Sequence, residues 1–502
     1  MYTVRYIAVV AVYVGVLTYV ALRARTAKKF SEFSLASRAL PLALVFGSLT
    51  ATYVGPAFSI GFVGKGYKSG ALFLCIALAY SVQNILAGVL VAPKLRELKN
   101  CHTLGDAIGL KYGRTAQVLA GIISVGICAG FAAVMAKAGG VVLNDIFGLP
   151  LWSSVIIIVG VTALYTTFGG LRASVITDAF QFTAFAILLP TILLFVLFHA
   201  ASQAVHGAAA LGTAVSGAAA SGAQGSLGIQ GVHGVQGVPA GPWAQAFFEK
   251  AVQATREGFG SMSTAKIISL AAALMFGEML IPPYANRALA SKTTAISRNS
   301  FVLAGIFSVF WFVVMIALGI SARGIIPAGT KEDYVLLNLV KNVMPAEGYV
   351  LLLVVSVSIV MSSLDSLLNA GAVAFTQDIA RPFTKLSDSA SLNMGRSATI
   401  VIAIIAAAGA VVVPGIVQGL LICYTIWAPA ILPSLVIGLW TKKPCPLAAI
   451  LSMITGTIVA ITLQWLWNSP VAEGTAIIPA IAAALLAYIL GYRLEKFLKG
   501  RA

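Results

Sequence analysis

Thirteen runs of apolar residues, most of them long enough to cross a bilayer, restrict this chain before any motif is considered. They fall at about 5–22, 41–64, 70–92, 115–143, 150–168, 174–199, 264–286, 299–321, 349–377, 396–413, 416–440, 446–466 and 476–492. A helix needs about 20 apolar residues to span the hydrocarbon core, and backbone groups at that depth have to be satisfied within the chain. A membrane barrel would show short segments of alternating polarity instead. These runs are continuous, so the expected fold class is an all-α polytopic membrane protein with 13 transmembrane helices. Composition agrees: 59% of the 502 residues are hydrophobic and 10% are charged, against about 25% charged in a soluble domain.

A net charge of +17 would suit nucleic acid if it were gathered on one face, but here it is sorted by loop. With the segment after the first run (RARTAKKF) placed inside, the inner loops hold 23 of the 33 Lys and Arg residues and the outer loops nine. One more, Lys137, falls within a run. This is the positive-inside pattern. It places the chain in the plasma membrane with its N-terminus outside and its C-terminus cytoplasmic, and leaves no role for nucleic acid. The first run carries its positive charges after it, so it reads as an anchor and not as a cleaved signal. The five cysteines form no CxxC pair, so neither a disulfide framework nor a zinc site is indicated.

Two runs are interrupted in the same manner. The second contains TATYVGPAFSIGFVGKG, with Gly55-Pro56 and Gly61; the seventh contains MFGEMLIPPYANRAL, with Gly277 and Pro282-Pro283. Proline removes a helical hydrogen bond and clashes with the preceding turn, so both helices are expected to break. They stand five spans apart and cross in opposite senses, the pattern of an inverted five-plus-five repeat in a secondary transporter. Ordinary proline kinks are the plainer alternative for either one alone. The expected organisation is a leading helix and cytoplasmic loop (1–40), a first repeat of core helices 1–5 (41–199), a Gly/Ala-rich extracellular loop (200–263), a second repeat of core helices 6–10 (264–440), and two peripheral helices with a short tail (441–502). Residues 200–248 carry no Asp, Glu, Lys or Arg and read as a flexible loop; His199, His206 and His233, spaced irregularly in or beside it, read as solvated residues rather than metal ligands.

Polar residues inside the apolar runs are the functional candidates. In SIVMSSLDSLLNAGAVAFTQDI (358–379), Ser362, Asp365 and Ser366 share one helical face. Oxygen ligands with a carboxylate suit a hard cation. A membrane serine can instead bond back to the i−4 carbonyl, but that leaves Asp365 without a partner. Asp178 lies early in the sixth run and either pairs with Arg172 of its own loop or joins this oxygen cluster. Lys137 and Glu278 either contact a charged part of a solute or neutralise each other. Tyr53 and Phe58 are candidate pocket residues, and Tyr80 reads as packing. HExxH and GxSxG motifs are missing, and GFVGKGYKSG fails as a phosphate loop because Tyr67 stands where lysine is required.

Three stretches, YTTFGGLRASVITDAFQ, MSSLDSLLNAGAVAFTQDI and SLTATYVGPAFSIG, resemble the fifth, eighth and broken first core helices of the sodium:solute symporter family. The last is nearest to the high-affinity choline transporter and sodium–proline symporter branches. The resemblance covers nearly the whole chain. It implies a main sodium site formed by the carbonyls of Ala51, Val54 and Ile359 with the hydroxyls of Ser362 and Ser363. It also implies a second sodium site, found in some members, at Asp178, Ser362, Asp365 and Ser366. Where the choline branch has a tryptophan and a further aromatic residue, this chain has Tyr53 and Ile281, a departure from a choline pocket. Lys137 would suit a carboxylate and Glu278 an amine.

The expected function is sodium-coupled symport of a small polar organic solute, an amino acid or small organic acid, by alternating access. Sodium is the coupling ion, and no organic cofactor or enzymatic activity is expected. The partners are the solute and the bilayer, with the chain a monomer or weak oligomer. The alternatives are proton coupling through Asp178 or Asp365 on the same fold, and a transporter-like sensor that signals through a separate partner.

Overall fold

The computed structural model describes residues 29–220, 242–466 and 475–499, together with Ala27 and most of 8–20. Its helices are α1 (Phe30–Leu35), α2 (Leu42–Tyr53), α3 (Phe62–Leu86), α4 (Ala92–Glu97), α5 (Leu104–Tyr112), α6 (Arg114–Phe147), α7 (Leu151–Ala220), α8 (Pro242–Ser261) and α9 (Thr264–Phe276). They continue with α10 (Pro282–Ala290), α11 (Thr294–Ala322), α12 (Val335–Val343), α13 (Ala346–Ala374), α14 (Asp388–Val412), α15 (Ile416–Trp440), α16 (Pro446–Leu466) and α17 (Ile477–Lys499). Among the described residues no strand forms; one isolated bridge joins Leu40 to Ser291. That bridge ties the start of α2 to the end of α10, with Lys292 N–H donating to the Leu40 carbonyl at 3.0 Å.

Nine helices among the described residues are long and apolar enough to cross a membrane, or ten if the bent pair α8–α9 is one span. That count takes 57–97 and 151–199 as single helices. Each contains one glycine in a backbone conformation that L-residues avoid: Gly70 (φ 53°, ψ −138°) and Gly170 (φ 62°, ψ −171°). The chain turns sharply at both, and neither position has room for a side chain. A Cβ on Gly70 would stand 2.7 Å from the Thr255 hydroxyl, and one on Gly170 would stand 2.9 Å from the Phe33 ring.

The expected loop over 200–263 is largely helical where it is described. α7 runs on through Ala220, and α8 occupies 242–261; residues 221–241, with His233 among them, lie outside the described residues. Alanine has the highest intrinsic helix propensity, so the small-residue composition that suggested a flexible linker also continues a helix. α8 lies across the Gly70 turn, with the Ala71 N–H donating to the Thr255 hydroxyl at 2.9 Å and Arg323 paired to Glu257.

Both proline-marked runs are broken. α2 stops at Tyr53, and the chain resumes helical form in a widened π turn at Ala57–Gly61 that leads into α3. α9 stops at Phe276; Gly277–Ile281 is unwound, with Leu280 at φ 51°, before Pro282 opens α10. Between these breaks runs α13, which packs on α6, α7, α2 and α10. The described part of the leading span reaches α13 as well, through a 2.5 Å hydrogen bond between the Tyr13 and Ser358 hydroxyls.

Candidate functional site

The first break exposes carbonyl groups to the middle of α13. Pro56 has no N–H to offer the Thr52 carbonyl four residues earlier, and Val54 has already left helical geometry (ψ 34°). The Ser362 hydroxyl donates to its own Ile359 carbonyl at 3.1 Å and reaches the Ala51 carbonyl across the interface at 3.4 Å. The Val54 carbonyl accepts the Ser59 hydroxyl at 2.6 Å. The Ser363 hydroxyl is buried without a hydrogen-bond partner, and a Cβ on Gly55 would stand 2.7 Å from it. Ala51, Val54, Ile359, Ser362 and Ser363 are all buried, and the Ala51 carbonyl at the break meets Ser362 of α13. Their oxygens are uncharged and one hydroxyl is unsatisfied, a donor set suited to a hard cation. Among the described residues no group of three His, Cys, Asp or Glu is placed to hold a metal ion.

One turn along α13 lies a charged cluster. Asp365 accepts the Tyr165 hydroxyl at 3.1 Å, the Ser174 hydroxyl at 3.1 Å and the Ser366 hydroxyl at 3.1 Å. Asp178, from α7, accepts the Ser48 hydroxyl at 2.6 Å and forms a 2.8 Å ion pair with Arg287 of α10. The same guanidinium donates to the Ser366 hydroxyl at 2.5 Å, to Ser48 at 2.7 Å and to the Pro283 carbonyl at 2.9 Å. Asp178, Asp365 and Ser366 are therefore together, one of the two readings of Asp178, and Arg172 takes no part: it is exposed. The counter-ion of Asp178 is Arg287, which the loop count had placed among the inner surface charges. The cluster holds two carboxylates against one guanidinium.

The second break carries Glu278, 5% exposed. Its two carboxylate oxygens accept the Tyr284 hydroxyl at 2.7 Å and the Tyr424 hydroxyl at 2.5 Å. The Tyr80 hydroxyl lies 3.4 Å from that of Tyr284 and donates at 3.4 Å to the Tyr53 carbonyl, so Tyr80 belongs to this group and is more than packing. Tyr53 stacks edge-on to Tyr284 at 4.1 Å, and Phe58 lies 4.2 Å from Tyr80 between ring centroids. Ile281 is buried and begins α10, its carbonyl accepting the Tyr284 N–H at 2.9 Å. Lys137 is not part of this group. Its ammonium donates to the Val413 carbonyl at the turn between α14 and α15, so Lys137 and Glu278 do not neutralise each other.

A sequence model of the sodium:solute symporter family matches residues 33–456. The chain belongs to that family. It is 23% identical to the sodium/pantothenate symporter of Escherichia coli (strain K12), covering 97% of this chain and 95% of that one. It is 25% identical to the sodium/glucose cotransporter of Vibrio parahaemolyticus, covering 92% and 85%. A solved Na+-coupled sialic acid symporter, in a substrate-bound outward-open state, superposes with a TM-score of 0.75 over 97% of this chain and 98% of that one. At 15% identity this is a likeness of fold. This symporter is thus a sodium-coupled transporter and not an enzyme, with a multi-pass place in the plasma membrane.

Sequence reasoning missed Arg287, Tyr284 and Tyr424. The first two were within reach: PPYANR places both on the short helix that a Pro282 start predicts, three residues apart and so near one face. Tyr424 sits in an unbroken apolar run, where nothing local separates a ligand-facing tyrosine from a packing one.

Proposed function

We propose that this family member imports a small polar organic solute with sodium by alternating access, on 13 spans arranged as a five-plus-five inverted repeat behind one leading helix. The observation that carries this reading is the unsatisfied Ser363 hydroxyl beside Gly55, at the point where the carbonyl of Ala51 meets Ser362. Sodium bound there would join the broken helix to α13, and the carbonyls of Val54 and Ile359 lie next to the same break. Joining these two elements favours the state that presents the solute cavity outward. The solute site is read at Tyr53, Phe58, Glu278 and Ile281, between the two breaks, and Lys137 is left to the outer rim.

The Asp178–Asp365–Ser366 cluster is read differently from its sequence expectation. The Arg287 guanidinium lies between Asp178 and Ser366, where a second sodium would need the same oxygens. Its fixed charge supports one sodium per cycle. One monovalent ion moving down a membrane potential supplies about 2.3 kcal/mol per 100 mV, enough to concentrate a solute.

The test is the thermal stability of the purified protein in sodium against potassium. Ligands that bind the native state raise its melting temperature by mass action. Sodium is expected to stabilise the wild type with a single-site dependence, and Ser362→Ala with Ser363→Ala to need a much higher sodium concentration. An unchanged sodium dependence in that double variant would overturn the assignment.

A further inference from the structure

Glu278 is a buried carboxylate without a cation. Tyr284 and Tyr424 each give one oxygen a hydroxyl hydrogen bond, and among the described residues no ion pair includes Glu278. Hydroxyl donors satisfy lone pairs but do not cancel a charge. An uncompensated carboxylate at membrane depth is costly.

Among the described residues, Arg287 and Lys137, two cations in or beside the apolar runs, are both held elsewhere. Arg287 is held by Asp178, Ser48, Ser366 and the Pro283 carbonyl. Lys137 is turned to the Val413 carbonyl. Balance at Glu278 then comes from a proton on the carboxyl or from a cationic group on a bound solute.

The surroundings define what kind of charge. The carboxylate sits among aromatic rings: Phe131 lies 5.7 Å from Tyr424, and Tyr53 lies 5.9 Å from Tyr80 and 4.1 Å from Tyr284. Ring faces attract organic cations. Inorganic sodium, by contrast, has the carbonyl and hydroxyl set at the first break. Each carboxylate oxygen keeps a second lone pair, so a group with N–H donors can add a charge-assisted hydrogen bond to those already made. The unwound backbone at Gly277–Ile281 brings this side chain between the two broken helices.

We infer that Glu278 is the subsite for a protonated amine, and that the transported solutes are amine-bearing, either zwitterions or organic cations. Amine-free organic acids and sugars are excluded as substrates. This rests on the reading that the solute lies between the two breaks, and it replaces the class of amino acids or organic acids by amine-bearing solutes, amino acids among them. A simple carboxylate would meet Glu278 with like charge, and the ammonium of Lys137 lies apart at Val413.

The experiment measures thermal stabilisation of the purified full-length protein in sodium by matched pairs: alanine against lactate, serine against glycerate, and 4-aminobutyrate against 4-hydroxybutyrate. Glycine betaine and choline serve as cations without N–H donors. The expected result is stabilisation by one or more amine members and none by their hydroxyl partners. Glu278→Gln should weaken the half-saturating amine concentration by roughly thirtyfold or more while retaining the stabilisation given by sodium alone. Tyr424→Phe should weaken it less. Equal stabilisation by hydroxyl partners, stabilisation by betaine or choline but by no N–H amine, no response to any amine, or an unchanged amine response in Glu278→Gln would each overturn the inference. Loss of the sodium response in the wild type would overturn the sodium-symport reading itself, a result separable from all of these.

Discussion

The Arg287 guanidinium lies 2.8 Å from the Asp178 carboxylate, and both side chains are fully buried. The pair connects α10, which follows one broken element, to α7, and through Ser48 and Ser366 it reaches α2 and α13. Four elements therefore share one charge network.

Removing one member of that pair leaves the other charge uncompensated. Arg287→Gln is expected to destabilise the protein by about 3–5 kcal/mol, read as a lowered melting temperature and a smaller folded fraction after purification. Asp178→Asn in the same chain should recover part of the loss. If the double variant is as unstable as the sum of the two single variants, the ion pair is not what couples them.

Gly55 is required by its neighbours. A Cβ there would stand 2.7 Å from the Ser363 hydroxyl and 3.2 Å from the Thr52 carbonyl. Gly55→Ala is expected to push Ser363 away from the break and raise the half-saturating sodium concentration by about tenfold, equivalent to about 1.4 kcal/mol. The check is a sodium titration of thermal stability, in which an unshifted midpoint would place the ion elsewhere.

The start of α3 is joined to the loop before α12 by Glu332, which lies 2.9 Å from Lys65 and 2.8 Å from Lys68. Burial pushes the Glu332 carboxyl up, but the two ammonium groups outweigh it and hold it below the ordinary carboxylate range. A lowered folded value means that the contribution to stability is present above the unfolded value and is lost as pH falls through the folded one. Glu332→Gln should therefore cost about 1 kcal/mol near neutral pH and flatten the acid side of the stability profile. An acid limb identical to wild type would show that the pair contributes nothing.

Asp365 gathers three hydroxyl donors from Tyr165, Ser174 and Ser366. Replacing it with Ala would leave Tyr165 and Ser174 to find other partners in a buried site, while Ser366 keeps the Ser362 carbonyl at 2.8 Å. Asp365→Ala is expected to lose about 2–4 kcal/mol, with Asp365→Asn clearly milder because the amide oxygen still accepts. Equal losses in the two variants, measured by thermal denaturation, would show that these hydrogen bonds do not hold the site.

The hydrophobic pattern and two proline-marked interruptions were enough to read a helical membrane protein with breaks near Gly55 and Gly277. Helix formation and termination there are local effects, set by apolar length and by the missing proline N–H. The helical hydroxyl pattern likewise singled out Ser362, Asp365 and Ser366, since spacing of three and four residues fixes a shared face, and Ser363 entered through the family resemblance. The stretch beyond residue 199 was less legible: an uncharged Ala/Gly composition serves a flexible linker or a helix, and helix α7 continues to Ala220.

What the sequence by itself determined is where the chain could cross the membrane and where it could not stay helical. Which charges meet was decided only by the tertiary structure. Arg287 is distant from Asp178 in the chain and looked like a loop charge, while the nearby Arg172 was one of two readings for Asp178, the other being the oxygen cluster. Packing α10 beside α2, α7 and α13 brought Arg287 to Asp178, because a buried carboxylate selects the cation that can be desolvated beside it, not the one nearest in sequence. The same packing sent Lys137 to a carbonyl at Val413 and left Glu278 among tyrosines, to be balanced by a proton or by a cationic group on a bound solute.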